Sequence, residues 1–564
     1  MIIKQSLELF TAILDSIPAL LPAQALAVKG APVAEEGPFL DPAAHPPDAG
    51  QAAIVAVIDY AIPFAHPLFT TSEGHSRVAS IWLMEAARAE RRADIAFGRE
   101  LRGPQIDALR RAGDPDAAYR ACGLMQPGGV FQMAHAASHG AAVAALAAGH
   151  DPRQGRGRDF PMLAVSLPRS VLAETTGSLS GLFIQAAVVF VIARARALAR
   201  EMSRVAGRKV APPLVVNLSL GVTAGADDGS ALLSRLQDAV TKIRKWELGP
   251  IFFVVPTGNS RQARLRAKLQ QGGSIGWRIP PADPTLNALE IWGAAGEPAP
   301  RLALSTPDGR QIAVPLDQTG QGVVEDGRGA RLARVVLQRR GGDAGRACLT
   351  VIVPPTLPEA GKAAPPGLWK LHLTEAGASG CDLFIHRDDR LSGFRGQGLQ
   401  SSFVHADHAP RTASGRWPER DSPPLGPIRR NGTASLHARG AQQIRVGATL
   451  AWPPGRLSAY TGLLSNGDGG DITAPADASS NVFGMTLPGI APAACQRLSG
   501  TSLSAPQATR WLAEALADGA DARSRADVVN LLAAATPPPD LGLPDLPWRC
   551  GFPLDPGRAD VTRR

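Results

Sequence analysis

Leu498-Ser499-Gly500-Thr501-Ser502-Leu503-Ser504-Ala505-Pro506 combines a glycine, closely spaced hydroxyls and the start of a helical pattern that runs over residues 505–517. Gly500 lets the backbone turn tightly. Ser502 then lies at a helix N-terminus, where unpaired N–H groups and the helix dipole favour developing negative charge. Taken alone, the stretch fits either an exposed nucleophile beside an anion-stabilising backbone or a Ser/Thr-rich helix cap.

Working outward, Ala52-Ala53-Ile54-Val55-Ala56-Val57-Ile58-Asp59 is a continuous apolar run ending in a carboxylate, the pattern of a buried parallel strand. Functional groups of open α/β sheets collect at the carboxyl ends of strands, so Asp59 stands where a site would be. A turn-closing Asp is the alternative. Residues 138–149 predict a small-residue helix led by His139. His135 and His139 are spaced i, i+4, but Ala136, Ala137 and Ser138 between them lack the glutamate that a zinc protease uses as base, and no metal site is expected. Further strands are predicted at 161–167, 214–221 and 251–255, the last running into Pro256-Thr257-Gly258-Asn259, with helices at 179–205 and 230–245. Residues 77–124 read as mostly helical with an extended segment at Trp82. This alternation predicts an α/β fold, a parallel sheet with helices on both faces.

The pattern changes after about residue 276. Short β runs recur at 286–292, 302–305, 311–315, 331–337, 348–353, 368–373 and 381–386, several of them parted by Asp-Gly or Gly-Gly turns. They predict an antiparallel β-sandwich inserted into the α/β domain, whose own pattern returns at 443–448 and 471–475. The expected division is an N-terminal extension and linker (1–50), the first part of the α/β domain (51–275), the sandwich (276–390), a polar connection (391–430), the second part (431–535) and a Pro-rich tail (536–564).

The net charge of +9 would suit an acidic partner, but Arg194, Arg196, Arg200, Arg204 and Arg208 are spread along one segment without interleaved aromatics, so they read as a solvated helix face and no nucleic-acid partner is expected. Five cysteines lie far apart without a CxxC, which implies neither a disulfide framework nor a metal site. The apolar run 181–193 contains Gln185, ends at Arg194 and is shorter than the roughly 18 residues a bilayer span needs, so no membrane span is expected. Lys4, Glu8 and Asp15 interrupt the N-terminal 27 residues, which read as an amphipathic helix rather than a signal peptide; a cytoplasmic location follows as the expectation.

Asp59, His139 and Ser502 thus stand in the order Asp, His, Ser. A serine needs a base to take its proton, and a histidine needs a carboxylate to fix its tautomer. The order is that of subtilisin, and Ser504 stands where the G-x-S-x-G of α/β-hydrolases would require glycine. The chain resembles the subtilisin-like serine peptidases (subtilases), of the bacterial kind with a jelly-roll inside the catalytic domain. The resemblance is carried by Val55 to Asp59 with His66-Pro67 behind it, His139-Gly140 with Val143-Ala144, Val216-Asn217-Leu218-Ser219-Leu220-Gly221, Gly258-Asn259, the 443–448 run, Ala474-Pro475, and Gly500-Thr501-Ser502 with Ala505-Pro506.

The resemblance implies a nucleophile at Ser502, a general base and acid at His139 and an orienting carboxylate at Asp59. It implies oxyanion donors at Asn259 and the Ser502 backbone, pairing of an extended polypeptide substrate with Ser219, Leu220 and Gly221, and a specificity pocket lined by Thr257 and Gly258. It implies no cofactor for the chemistry. Calcium sites are common in the family, but no acidic cluster here can be assigned to one, and structural calcium stays open. The chain departs from the family at Tyr60-Ala61, where Ser/Thr-Gly is usual, and at Ala141-Ala142, where Thr-His is usual. These departures leave a second possibility, a catalytically weak or inactive relative that holds a partner; an acyl hydrolase on another fold is opposed by the residue order.

Overall fold

Six residues, Ile54–Asp59, form a strand buried along its whole length, and burial on both faces is why its sequence runs apolar up to the carboxylate. The strand is central to the computed structural model of the chain, which describes residues 21, 23–26, 37–46 and 48–534 apart from 89–91, 93, 112, 115, 126–131, 153–156, 174–175, 178–179, 244–246, 327–328, 341–344, 359–360, 362 and 390–397. Ile54–Asp59 pairs in parallel with Met162–Ser166 on one side and Leu214–Leu218 on the other. Beyond Leu214–Leu218 lie Ile251–Pro256, Ile444–Trp452 and Ile472–Ser479, all parallel. Beyond Met162–Ser166 lies Val78–Leu83, also parallel, and the antiparallel Arg99–Arg102 closes that edge. Among the described residues this sheet has eight strands. Ser180–Val205 and Leu232–Thr241 pack on it as one helix pair, His139–Ala148 and Thr501–Ala517 as another, giving the three-layer α/β arrangement that the alternation of elements predicted.

Several local expectations are corrected. Residues 77–124 are not mainly helical: the strands Val78–Leu83 and Arg99–Arg102 precede the helices Gly103–Arg110 and Ala117–Ala121. Trp82 sits in the buried strand, where its indole N–H bonds the Phe97 carbonyl at 2.9 Å. Within the segment expected as a linker, Phe39 and Leu40 are buried and their N–H groups bond the Glu201 carboxylate. The apolar run 181–193 belongs to a longer helix, Ser180–Val205, which by length and composition could cross a membrane. Here Phe183 and Phe190 pack on Phe97 and Trp82, and the buried Arg194 forks onto Glu100 at 2.7 and 2.8 Å. Cys495 is disulfide-bonded, although no disulfide framework was expected, while Cys122, Cys348 and Cys381 are buried thiols. The predicted N-terminal helix lies almost wholly, and the Pro-rich tail wholly, outside the described residues.

The insertion forms two antiparallel sheets. One orders Gln311–Ala313, Arg301–Ser305, Gly367–Glu375, Ser274–Ile279 and Ser402–Val404; the other orders Gln321–Glu325, Arg331–Arg340, Arg346–Val353, Asn287–Trp292, Cys381–Ile385 and Arg266–Leu269. Their strands therefore begin before residue 276 and take in 402–404 from the segment read as a connection. Trp277, Trp369, Leu289, Ile291, Val351 and Phe403 fill the space between the sheets. Where the insertion meets the α/β domain, Val222, Ala224 and Ala226 pack with Trp292, Cys348, Phe384 and Leu436. At this junction the Asp227 carboxylate is held between Arg266 at 2.7 Å and Arg439 at 2.6 Å, with all three side chains largely buried.

Removing one member of a buried charge cluster strands the others, at a cost of about 3–5 kcal/mol. Asp227→Asn is therefore expected to lower unfolding stability by roughly that amount in a urea titration. Arg346→Ala, at the more exposed Arg346–Asp228 pair (3.3 Å), should cost about 1 kcal/mol or less. Equal losses for the two variants would refute the assignment of Asp227 as the charge-critical residue of the junction.

Candidate active site

The residues singled out in the sequence collect at the carboxyl ends of the central strands. Asp59 ends its strand and is fully buried. Its carboxylate takes the Tyr60 N–H at 2.8 Å, and both its oxygens lie against His139 Nδ1, at 3.0 and 2.9 Å. Such contact favours the tautomer with the proton on Nδ1 and leaves Nε2 as the basic nitrogen. His139 opens a helix capped by Ser138, whose hydroxyl accepts from Ala141 N–H (3.0 Å) and donates to the Ala61 carbonyl (2.8 Å). The His139 helix meets the Asp59 turn so closely that a Cβ on Gly140 would lie 1.9 Å from the Tyr60 carbonyl oxygen, so glycine is required there.

Ser502 lies in the first turn of the helix Thr501–Ala517, behind Gly500 at φ +137°, a conformation that side chains avoid. Three anchors hold this turn. Ser219 Oγ donates to the Ser502 carbonyl at 3.0 Å, Thr501 N–H donates to Asn259 Oδ1 at 2.9 Å, and Thr501 Oγ1 accepts from Gly258 N–H at 3.0 Å. With Oδ1 occupied by Thr501, Asn259 turns Nδ2 toward Gly500: a Cβ built on Gly500 would lie 3.0 Å from Asn259 Nδ2 and 3.3 Å from Ser502 Oγ. Asn259 is solvent-exposed. Thr501 and Ser504 are structural, the latter bonding the Ala474 carbonyl at 2.8 Å. Among the described residues no hydrogen bond joins Ser502 Oγ to His139. In enzymes without substrate such bonds are often long and tighten only in the complex.

The two helices are locked to each other. Arg510, on the Ser502 helix, is half-buried and donates to the carbonyls of Leu146 (2.8 Å), Ala145 (2.9 Å) and Gly149 at the C-terminal end of the His139 helix. Its charge also suits that end of the helix dipole. Ala142 is fully buried in one cluster with Leu146 and Leu503, so this small residue serves the contact between the helices. Tyr60 lies parallel to the His139 ring, with centroids 6.1 Å apart and planes 5° apart. Burial first, and the neighbouring Asp59 charge second, push its phenol up to about 12, so it stays neutral.

Ser219, Leu220 and Gly221 follow the strand Leu214–Leu218, and Thr257 and Gly258 follow Ile251–Pro256. Among the described residues, the main-chain groups of Ser219 and Gly221 make no backbone–backbone hydrogen bond. Two residues missed in the sequence join these segments. Ser435 N–H donates to the Thr257 carbonyl at 2.7 Å, and its hydroxyl accepts from Val222 N–H at 3.2 Å. His437 Nδ1 bonds the Leu220 carbonyl at 3.3 Å, and burial pushes its pKa down to about 4. Both lie in a polar return segment, and their partners are more than 170 residues away in the chain, so no local pattern marks them. Among the described residues no cluster of three or more His, Cys, Asp or Glu could hold a metal.

No family model matches the chain, and no curated protein matches it. Among solved structures it is similar to the CspB protease of Clostridium perfringens, with a TM-score of 0.54 and 16% identity, over 83% of this chain and 83% of that one. At that identity the likeness concerns the fold: a subtilisin-like α/β domain with an inserted β domain.

Two measurements bear on this geometry. Ala61 carries φ +47°, in the left-handed region that costs an alanine about 1–2 kcal/mol. Ala61→Gly should therefore be neutral or stabilising by up to about 1 kcal/mol, and a clear loss in a urea titration would contradict the strain. His437 and His66 are both buried with pKa values lowered to about 4. The folded state keeps them neutral while the unfolded chain takes up protons below its normal value near 6.5, so their contribution is whole above pH ~6.5 and is lost as pH falls toward ~4. The slope of stability against pH in that window should flatten in His437→Gln; an unchanged slope would exclude His437 as a contributor.

Proposed function

We propose that this chain is a serine endopeptidase of the subtilisin type, acting on a polypeptide bound as an extended strand. The observation that carries the proposal is the fully buried Asp59 carboxylate paired at 2.9 Å with His139 Nδ1, while Ser502 Oγ and Asn259 Nδ2 share the space beside Gly500. In this reading His139 Nε2 takes the Ser502 proton as Oγ attacks the scissile carbonyl. Asp59 stays ionised and stabilises the imidazolium. Asn259 Nδ2 and the Ser502 N–H receive the oxyanion, helped by the N-terminus of the Ser502 helix. His139 then gives its proton to the leaving amine, and water, deprotonated by the same nitrogen, hydrolyses the acyl-enzyme. The unpaired main chain of Ser219 and Gly221 would add the substrate to the sheet by strand pairing, with Thr257 and Gly258 beside it. The chemistry needs no cofactor.

One observation favours the weaker alternative, a relative that binds peptides without cleaving them. Tyr60 lies parallel to the His139 ring, with centroids 6.1 Å apart, which limits the room for the imidazole to reorient. The two readings part under a fluorophosphonate probe. Covalent labelling of the wild type and none of Ser502→Ala is expected; no labelling of either would leave the binding module. Asn259→Ala should still label but lower kcat by at least roughly 100- to 1,000-fold with a smaller change in KM, because it removes an oxyanion donor and also the Oδ1 that holds Thr501.

A further inference from the structure

The strand beside the Ser502 helix carries a buried carboxylate that the mechanism above does not use. Asp477, in Ile472–Ser479, is fully buried. Among the described residues no Lys, Arg or His pairs with it. Its charge is met by four donors instead. Ser499 Oγ (2.6 Å) and the Gly484 N–H (2.6 Å) bond Oδ1, and Ser458 Oγ (2.5 Å) and Tyr460 Oη (2.6 Å) bond Oδ2. Burial and the Asp477 charge push the Tyr460 phenol up, so it remains a donor. A buried ion without a counter-ion is tolerated only when its lone pairs are filled in this way, and three of the donors come from segments distant from the strand in the chain.

The position of Ser499 gives the cluster its meaning. Ser499 immediately precedes Gly500, whose φ of +137° is one of many conformations open to a glycine, so the contacts on its two flanks select it. On the far side of Gly500, Thr501 is fixed by Asn259 Oδ1. On the near side, Ser499 is fixed by Asp477. The same strand also holds the helix itself, since Ser504 Oγ bonds the Ala474 carbonyl (2.8 Å) and Gln507 Nε2 the Pro475 carbonyl (2.7 Å).

We infer that Asp477 is a positioning residue, an ionic anchor that with Asn259 brackets Gly500 and sets where Ser502 Oγ points. As a contribution to turnover this rests on the peptidase reading; as an anchor of the turn it does not. Asp477 touches neither substrate nor reacting atoms, and its effect passes through Ser499.

The test uses the full-length protein with Asp477→Asn and Ser499→Ala. In Asp477→Asn the Ser and Tyr hydroxyls can reorient, but the charge-assisted bond to Ser499 is lost. Ser499→Ala removes the same bond at an exposed position, so it decides the matter should the buried variant fail to fold. Misplacement of a nucleophile by a fraction of an ångström should lower kcat by roughly tenfold or more in each variant, with KM within about twofold. The double variant should be no slower than the slower single, because both remove one interaction. Amide exchange across residues 499–503 should accelerate at least about tenfold while that of Ile444–Trp452 stays unchanged. Unchanged kcat together with unchanged exchange in folded Ser499→Ala would overturn the inference, as would a loss confined to Tm. A wild type that neither cleaves peptides nor takes the fluorophosphonate defeats the peptidase reading alone, and the exchange measurement then decides the anchor.

Discussion

A carboxylate at the end of a fully buried strand must be met by hydrogen bonds or a partner, since an unpaired buried charge costs several kcal/mol. Asp59 is in that position, and the partners available are His139 Nδ1 and the Tyr60 N–H. Much of the architecture follows from keeping them there. The His139 helix has to approach the Asp59 turn closely, which only Gly140 permits. Its other end has to be held, which Arg510 does from the Ser502 helix. The pairing of one buried charge thus fixes the relation between the two helices that carry the remaining groups.

The Ser502 turn is the complementary constraint. Gly500 adopts a conformation that side chains avoid and that is only one of many open to a glycine, so the turn is defined by the contacts that tie its flanks. Asn259 ties one flank and Asp477 the other, while Ser219 holds the Ser502 carbonyl. Asn259 does two things with one side chain: its oxygen is spent on Thr501, and its nitrogen is thereby aimed at the space next to Ser502 Oγ. The residues around the two helices fit the same picture. Ala142 lets the helices touch, and Tyr60 covers one face of the imidazole. Ala61 accepts left-handed strain in a turn that Ser138 caps.

The insertion does not stand apart. Its six-stranded sheet packs on Val222 to Ala226, the direct continuation of Ser219–Gly221, and Asp227 is shared between arginines of the insertion and of the returning α/β chain. The residues that join the two segments flanking the proposed substrate path, Ser435 and His437, belong to that return. The chain therefore leaves the α/β domain just after Asn259 and comes back at the residues that complete the same region.

The sequence by itself determined the class of fold and singled out side chains that the structure brings to the carboxyl ends of the central strands. Continuous apolar strands, a small-residue helix led by His139 and a glycine-led hydroxyl at a helix start are local patterns, set by burial and backbone geometry within a few residues, and they are readable without the fold. It misread the stretch 77–124, where charged flanks hid the strands Val78–Leu83 and Arg99–Arg102, and it took as a linker a segment whose Phe39 and Leu40 are pinned by Glu201. Only the tertiary structure decided which polar residues meet. Arg510 on the Ala145 to Gly149 carbonyls, Ser435 between Val222 and Thr257, Asp227 between two arginines, and Asp477 under Ser499 are all contacts across long chain separations or between different elements. A hydrogen bond depends on the positions of two atoms in space, and in a sheet whose strand order departs from chain order those positions are set by the packing of the whole domain.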